Sequence, residues 1–220
     1  MEPLSKNYLE IHETASDAFE YFYDKICLEG LPHGNTKALF NVGFYIKSPW
    51  LNKIDCLYRN WSEKYARREF DWYLSKNRSV ETLKKYAPIW DKMHGGDNIV
   101  NSNYGFQWSR NNQLDWAIDE LKQNPLSRRA VITILDSKEW IIHKHDTPCT
   151  CSIGFYIPEN TKKLCMTVHM RSNDLWYGFC NDQYCFSELQ KIVSEKLSIP
   201  VGNYYHFSTN FHLYTDQIKK

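Results

Sequence analysis

Arg171-Ser172-Asn173-Asp174-Leu175-Trp176-Tyr177-Gly178-Phe179-Cys180-Asn181-Asp182 gathers an arginine, a serine and two acids around a glycine-containing turn. An alternating apolar segment, Leu164 to Met170, runs into it, and an apolar-periodic helical pattern, Phe186 to Leu197, leaves it. A strand that hands over to a helix through a polar turn presents side chains to a small ligand. The arginine can grip a phosphate or carboxylate with paired hydrogen bonds, and the acids can meet the polar edge of a ring. A solvated turn with a salt bridge has the same composition, so residue types alone leave both readings open.

Upstream, Asp146-Thr147-Pro148-Cys149-Thr150-Cys151 sets a thiol at the start of a strand read as Cys149 to Ile157. A thiol just after a proline can face a cleft, where a neighbouring arginine would lower its pKa and make it a nucleophile. A core cysteine is the competing reading. His143, His145, Cys149 and Cys151 lack the spacing of a zinc site, and the zinc deaminase pattern fails by one residue, so no metal is expected. Arg128-Arg129 leads into Val131 to Leu135, a buried strand by residue type. Adjacent strand residues face opposite ways, so two arginines on one anion require an irregular backbone or two separate jobs. His212 and Tyr214 share a face of the last strand, Tyr204 to Tyr214, and can jointly hold a hydroxyl. In a long helix from Asn60 to Lys76, Glu69 shares a face with Tyr65, Trp72 and Tyr73. That makes it a boundary residue or a working buried carboxylate.

The remaining pattern gives a helix over 5–28, with Ala15, Ala18, Phe19, Phe22 and Ile26 on one side. A breaker-rich loop, Leu31 to Thr36, and a strand, Ala38 to Ile46, follow. Tyr86 to Met93 is a short aromatic stretch, Asn101 to Gly105 a polar turn, Leu114 to Lys122 a helix, and Pro158-Glu159-Asn160 a hairpin turn. The order predicts an α+β fold, a large mixed β-sheet flanked by helices. At 220 residues with no linker-like stretch, it reads as a single domain over 1–220. Net charge is +1 with basic and acidic residues interspersed, which excludes a long nucleic acid as partner. Seven irregularly spaced cysteines, without a signal peptide or a long apolar run, predict reduced thiols, a cytoplasmic location and no membrane partner.

Seven elements in sequence order resemble the thymidylate synthase superfamily: Glu69 with Trp72; Pro88-Ile89-Trp90-Asp91; Tyr104-Gly105-x-Gln107-Trp108; Ser127-Arg128-Arg129; Pro148-Cys149; Arg171-Ser172-x-Asp174 with Gly178; and His212-x-Tyr214. They span roughly residues 60 to 214. The resemblance implies that fold, dimerised through sheet faces, with a pyrimidine nucleoside monophosphate as substrate. It implies that Cys149 adds to carbon 6 of the base and that carbon 5 takes a one-carbon unit from 5,10-methylenetetrahydrofolate. Glu69 and Tyr104 would manage protons and ordered water. Arg171 and Ser172 would hold the 5′-phosphate, and His212 and Tyr214 the sugar 3′-hydroxyl. Arg128 and Arg129 would reach the phosphate in the neighbouring subunit of a homodimer. Ile89 and Trp90 would face the folate, and Asp174 would serve both the nucleotide and the folate.

Departures from the family pattern shift the expected substrate. Synthases read Gly-Leu-Pro-Phe-Asn where this chain reads Gly178-Phe179-Cys180-Asn181-Asp182, so the uracil-reading asparagine falls on Asp182. Uracil offers a ring N–H and a carbonyl, which an amide complements. Cytosine offers a bare ring nitrogen and an amino group, which a carboxyl group complements when one partner carries a proton. A carboxylate facing the uracil carbonyl would leave a buried acceptor unpaired, at about 1–3 kcal/mol. Thr150 stands where synthases carry histidine. With Asn101 to Gly105 and Asn181-Asp182, the chain looks most like deoxycytidylate hydroxymethylases, in which water captures the methylene unit. The implied product is 5-hydroxymethyl-dCMP, with CMP in place of dCMP as an open alternative. Reductive methylation of dUMP or dCMP, and a silent nucleotide-binding protein, are the competing readings; intact Cys149, Glu69 and Arg171 favour catalysis. The sequence ends six residues after Tyr214, without the segment that closes over folate in synthases, which fits either admission of water to the intermediate or a weak or inactive enzyme. His33 to Lys37 replaces the family's arginine-containing phosphate loop.

Overall fold

A capping box fixes where the first helix begins. The Asp17 N–H donates to Thr14 Oγ1 (3.1 Å), and the Thr14 N–H donates to the Asp17 carboxylate (2.9 Å). In this computed structural model, which describes residues 10–138 and 145–218, helix α1 therefore runs Ala15–Glu29 and does not reach back toward residue 5. Its predicted apolar side is buried throughout. Ahead of it, Glu10–His12 forms strand β1, with Ile11 exposed and His12 buried. That alternation belongs to a strand, and β1 pairs in parallel with β3, Thr36–Ile46. The expected loop at 31–36 is a tight hairpin: β2, Leu31–His33, pairs antiparallel with the start of β3. Gly34 supplies a positive φ at the turn.

The helices that flank the site have visible caps. Ser62 caps α2, Glu63–Leu74, by accepting from the Tyr65 N–H (3.2 Å). Leu83–Lys85 is a single 3₁₀ turn and α3, Trp90–Met93, is short. The polar turn expected at 101–105 is instead a helix start. Asn103 accepts from the Phe106 N–H (2.8 Å) and opens α4, Tyr104–Ser109. Helix α5 follows at Gln113–Gln123.

Strand order in the sheet, over the described residues, is β1-β3-β8-β6-β5-β4, with β2 beside β3 and β7 beside β8. Here β4 is Val131–Thr133, β5 Thr150–Tyr156, β6 Leu164–Met170, β7 Asn173–Asp174 and β8 Val201–Tyr214. Parallel pairs (β1/β3, β6/β8, β7/β8) mix with antiparallel ones (β2/β3, β3/β8, β4/β5, β5/β6), as the α+β reading requires. The stretch Val131 to Leu135 is a strand only over its first three residues, and it is buried on one side alone, at Ile132 and Ile134. Those three residues are the short edge strand β4, with Val131 48% exposed. β-branched composition favours a strand without saying whether it lies at the centre or the edge.

The quoted stretch also differs from the expected turn. Asp174 accepts from the Trp176 N–H (2.9 Å) and the Tyr177 N–H (3.0 Å), capping a π-helical turn, Leu175–Phe179. That turn continues directly into α6, Cys180–Leu197, which starts six residues before the expected Phe186. Asp182 is thus in the first turn of a long helix. Helices α1 and α6 cover one sheet face, where Phe44, Ile153, Val168, Tyr204 and Phe211 are buried, and α2 packs against α6. On the other face, rings from neighbouring strands meet while half-buried: Tyr45 with Tyr205 (4.7 Å) and His169 with Phe207 (4.9 Å). No described helix is long and apolar enough to cross a membrane.

Candidate active site

The loop before β5 and the stretch after β6 are tied together by Arg171. Its backbone N–H donates to the Cys149 carbonyl (2.9 Å). Its guanidinium donates to the Thr147 carbonyl (2.7 Å) and the Pro148 carbonyl (3.1 Å), and Nη2 lies 3.8 Å from Cys149 Sγ. Nη1 makes no hydrogen bond among the described residues, so the exposed guanidinium keeps donors for an anion. From below, Asp146 holds the loop. Its buried carboxylate accepts from the Ser102 hydroxyl (2.6 Å) and the Ser102 N–H (2.7 Å), and Asn101 donates to its carbonyl (2.9 Å). A bulge between Thr150 and Ser152 then turns β5 away from regular alternation next to the nucleophile position.

Cys149 is closely surrounded by protein yet keeps part of its surface open. Burial pushes its thiol up to about 11; Arg171 pulls it down, and Asp182 and Asp146 push it further up. The arginine is where the sequence predicted, but desolvation outweighs it. Thr150 beside it is fully buried, with a hydroxyl that has no partner among the described residues.

Three acidic or phenolic groups converge on the same space. Glu69 on α2 is 6% exposed; Tyr73 donates to its Oε1 (3.3 Å), and its Oε2 is buried with no partner among the described residues. Burial raises the Glu69 carboxyl to about 7. Tyr104 opens α4 and stacks on Phe186 (5.5 Å). Burial holds its phenol well above the ordinary range, and the charges of Asp182 and Cys149 add to that shift. Gly105 lets α4 lie directly against α2, since a Cβ there would stand 1.6 Å from the Tyr73 carbonyl oxygen. Asp182 is surrounded on all sides but not sealed, and accepts from Asn173 Nδ2 (2.8 Å) on Oδ2. Burial, then the charge of Glu69, holds its carboxyl well above the usual carboxylate range.

The sugar-side candidates lie at the β7/β8 pairing and the folate-side candidates beside α2. Pairing of β7 with β8 sets Asp174 opposite His212. His212 is 9% exposed, bonds Asn210 Oδ1 through Nδ1 (2.8 Å) and meets the Tyr214 ring edge-on at 5.5 Å. The Tyr214 hydroxyl feels the charges of both Asp174 and Cys149. Asp174 itself is pushed up to about 6 by burial, against the two N–H groups that it caps. Ser172 is half-buried beside Arg171. Trp90 donates to the Tyr65 hydroxyl (2.9 Å) and packs on Trp72 (5.1 Å), while Ile89 is 57% exposed.

Arg128 and Arg129 are not brought to this pocket within one chain. They precede β4, whose pairing puts Ala130 beside Phe155, at the far end of β5 from Cys149. At ~3.3 Å per strand residue the separation is roughly 20 Å. Arg129, exposed, forks onto Glu120 at 2.7 and 3.0 Å. His143 lies outside the described residues. Sequence reasoning missed Ser102 and Asp146, whose partnership spans 44 positions and has no local signal. It also gave no role to Asn173, although the alternation with Asp174 already pointed the two side chains to different faces.

The thymidylate synthase family model matches residues 57–220. The chain is 37% identical over 144 residues to deoxycytidylate 5-hydroxymethyltransferase of Enterobacteria phage T4, covering 61% of this chain and 57% of that protein. It is 30% identical over 156 residues to thymidylate synthase 1 of Bacillus spizizenii and to thymidylate synthase of Bacillus phage phi3T, covering 67% of this chain and 55% of each. The chain thus spans little more than half the length of these relatives. A match that takes in α2, the Cys149 loop, the Arg171–Asp182 segment and the last strand, on a mixed sheet flanked by helices, places the chain in the thymidylate synthase family.

Proposed function

We propose that the chain is a folate-dependent (deoxy)cytidylate 5-hydroxymethyltransferase. It attaches a one-carbon unit at carbon 5 of dCMP, or CMP, and water supplies the hydroxyl. One observation carries the choice of base. The family's amide position is Asp182, a surrounded carboxyl group that accepts from Asn173 Nδ2 at 2.8 Å and that burial pushes well above the usual carboxylate range, toward its neutral form. A neutral carboxyl group offers one donor and one acceptor to the base. The deoxycytidylate enzyme of phage T4 among its relatives supports the same substrate.

In this reading Arg171 and Ser172 bind the 5′-phosphate, and His212 with Tyr214 binds the 3′-hydroxyl. Cys149 Sγ loses its proton and bonds carbon 6, which moves electron density to carbon 5; the Arg171 guanidinium stabilises the thiolate. Glu69, poised near pH 7, holds ordered water through its unpartnered Oε2 and moves protons with Tyr104. After carbon 5 has lost its proton and water has supplied the hydroxyl to the one-carbon unit, the carbon 6–sulfur bond breaks, Cys149 leaves as thiolate and the carbon 5–carbon 6 double bond is restored. The exposed Ile89, the aromatic pair of Trp90 and Trp72 behind it and the partly open Asp174 carboxyl group fit a flat pterin-like ring carrying N–H donors. They would hold 5,10-methylenetetrahydrofolate, which when bound supplies the one-carbon unit. Arg128 and Arg129 fit a homodimer formed through the half-buried aromatic sheet face. Each, lying away from its own chain's pocket, would complete the partner's phosphate site, Arg129 exchanging Glu120 for the phosphate.

The test is tritium release from carbon 5 of labelled dCMP and dUMP, with and without methylenetetrahydrofolate, while following dihydrofolate absorbance. Folate-dependent release from dCMP without dihydrofolate is the expected result. Release from dUMP alone, or dihydrofolate growing with turnover, overturns the proposal. Asp182→Asn is expected to move the preference toward dUMP.

A further inference from the structure

We propose that Asn173 is a positioning residue that fixes which oxygen of Asp182 carries the proton, and that this fixed order lets the pocket tell cytosine from uracil. The proposal rests on Asp182 reading the base, as argued above.

A lone carboxylic acid does not discriminate well between the two bases. Its proton moves freely between the oxygens, so it presents donor-then-acceptor or acceptor-then-donor as needed. Cytosine and uracil present opposite orders along the corresponding edge: bare nitrogen and amino group in one, N–H and carbonyl in the other. A neutral carboxyl group selects between them only if something pins its proton to one oxygen.

Asn173 is placed to do so. It is 2% exposed, and β7 pairing sets its backbone opposite Phe211. Its Nδ2 donates to Asp182 Oδ2 at 2.8 Å, so Oδ2 must act as acceptor. The carbonyl oxygen of a carboxyl group is the better acceptor, which leaves the proton on Oδ1. Oδ1 makes no hydrogen bond among the described residues and remains for the base. Burial and the nearby Glu69 charge both push the carboxyl group toward its protonated form. Gly178 closes over the pair: a Cβ there would lie 2.8 Å from Asn173 Nδ2 and 3.3 Å from Asp182 Oδ2. The two groups are therefore clamped in this arrangement.

The amide is otherwise a poor choice for this position. Its Oδ1 is buried without a partner among the described residues. A buried orphan acceptor is costly, so a residue kept for packing alone would be apolar. The bond to Asp182 accounts for its presence.

The experiment measures binding of dCMP, dUMP and deoxyribose 5-phosphate by calorimetry, without folate, to the wild type, Asn173→Leu and the smaller Asn173→Ala. Both variants are expected to bind deoxyribose 5-phosphate within about twofold of wild type, while the dCMP-to-dUMP affinity ratio falls about tenfold. In an Asp182→Asn background, Asn173→Leu should leave the ratio unchanged. A folded variant that keeps the wild-type ratio, or that weakens all three ligands alike, overturns the role of Asn173 and leaves the cytosine reading standing. A wild-type protein with no preference for dCMP overturns the cytosine reading itself.

Discussion

Replacing Glu69 with glutamine should stabilise the protein at pH 8 and not at pH 5. Burial raises the Glu69 carboxyl from an ordinary 4.5 to about 7. Between those values the folded state keeps a proton that the unfolded state has lost. The Glu69 contribution to stability is therefore greatest below pH 4.5, falls as pH rises to about 7, and is flat above. The shift corresponds to about 3 kcal/mol. Glutamine keeps an acceptor for Tyr73 and carries no charge to desolvate, but its N–H₂ replaces the unpartnered Oε2 and costs about 1 kcal/mol. The variant should gain about 2 kcal/mol at pH 8, or roughly 4–8 °C in Tm for a chain of this size. At pH 5 the gain should vanish or reverse. Thermal unfolding of both proteins at the two pH values and one fixed protein concentration checks this. The same variant should lose turnover, because the group that burial destabilises is the one proposed to handle water. An equal Tm difference at both pH values, or none at pH 8, refutes the burial of an ionisable Glu69.

Gly105→Ala should destabilise by about 3 kcal/mol or more, since its Cβ meets backbone at Tyr73 and not a movable side chain; a midpoint within about 0.5 kcal/mol of wild type in urea would show that α4 and α2 do not touch there. Alkylation of Cys149 by iodoacetamide, followed by peptide mass, should rise about tenfold per pH unit from 7 to 10, as expected for a thiol pushed up to about 11; a plateau near pH 8 would mean that Arg171 wins over burial.

Elements with a strong local signal were legible in the sequence. The apolar side of α1, the long helix bearing Glu69, and the strands β5, β6 and β8 follow from residue periodicity, and the family elements recur in their expected order. Boundaries failed where side chains bond backbone a few residues away. The Thr14–Asp17 box shortened the first helix, Asn103 turned a polar turn into a helix start, and Asp174 began a helical turn where a loop was expected. Val131–Thr133 failed differently, because edge or centre is a property of the whole sheet.

By itself the sequence determined the chemistry on offer: a thiol after a proline, a carboxylate among aromatics, an Arg-Ser pair, and an acid where the family has an amide. These are covalent facts, independent of folding. Tertiary structure decided their states. Only packing from α2, α6 and the sheet removes enough water to raise Glu69 and Asp182 together and to push the Cys149 thiol up beside an arginine. Likewise, only the turn from β7 into α6 brings Asn173 within 2.8 Å of Asp182. Residue order can name an acid for the base edge. Where its proton sits depends on desolvation and on one neighbouring amide, and both are properties of the folded chain.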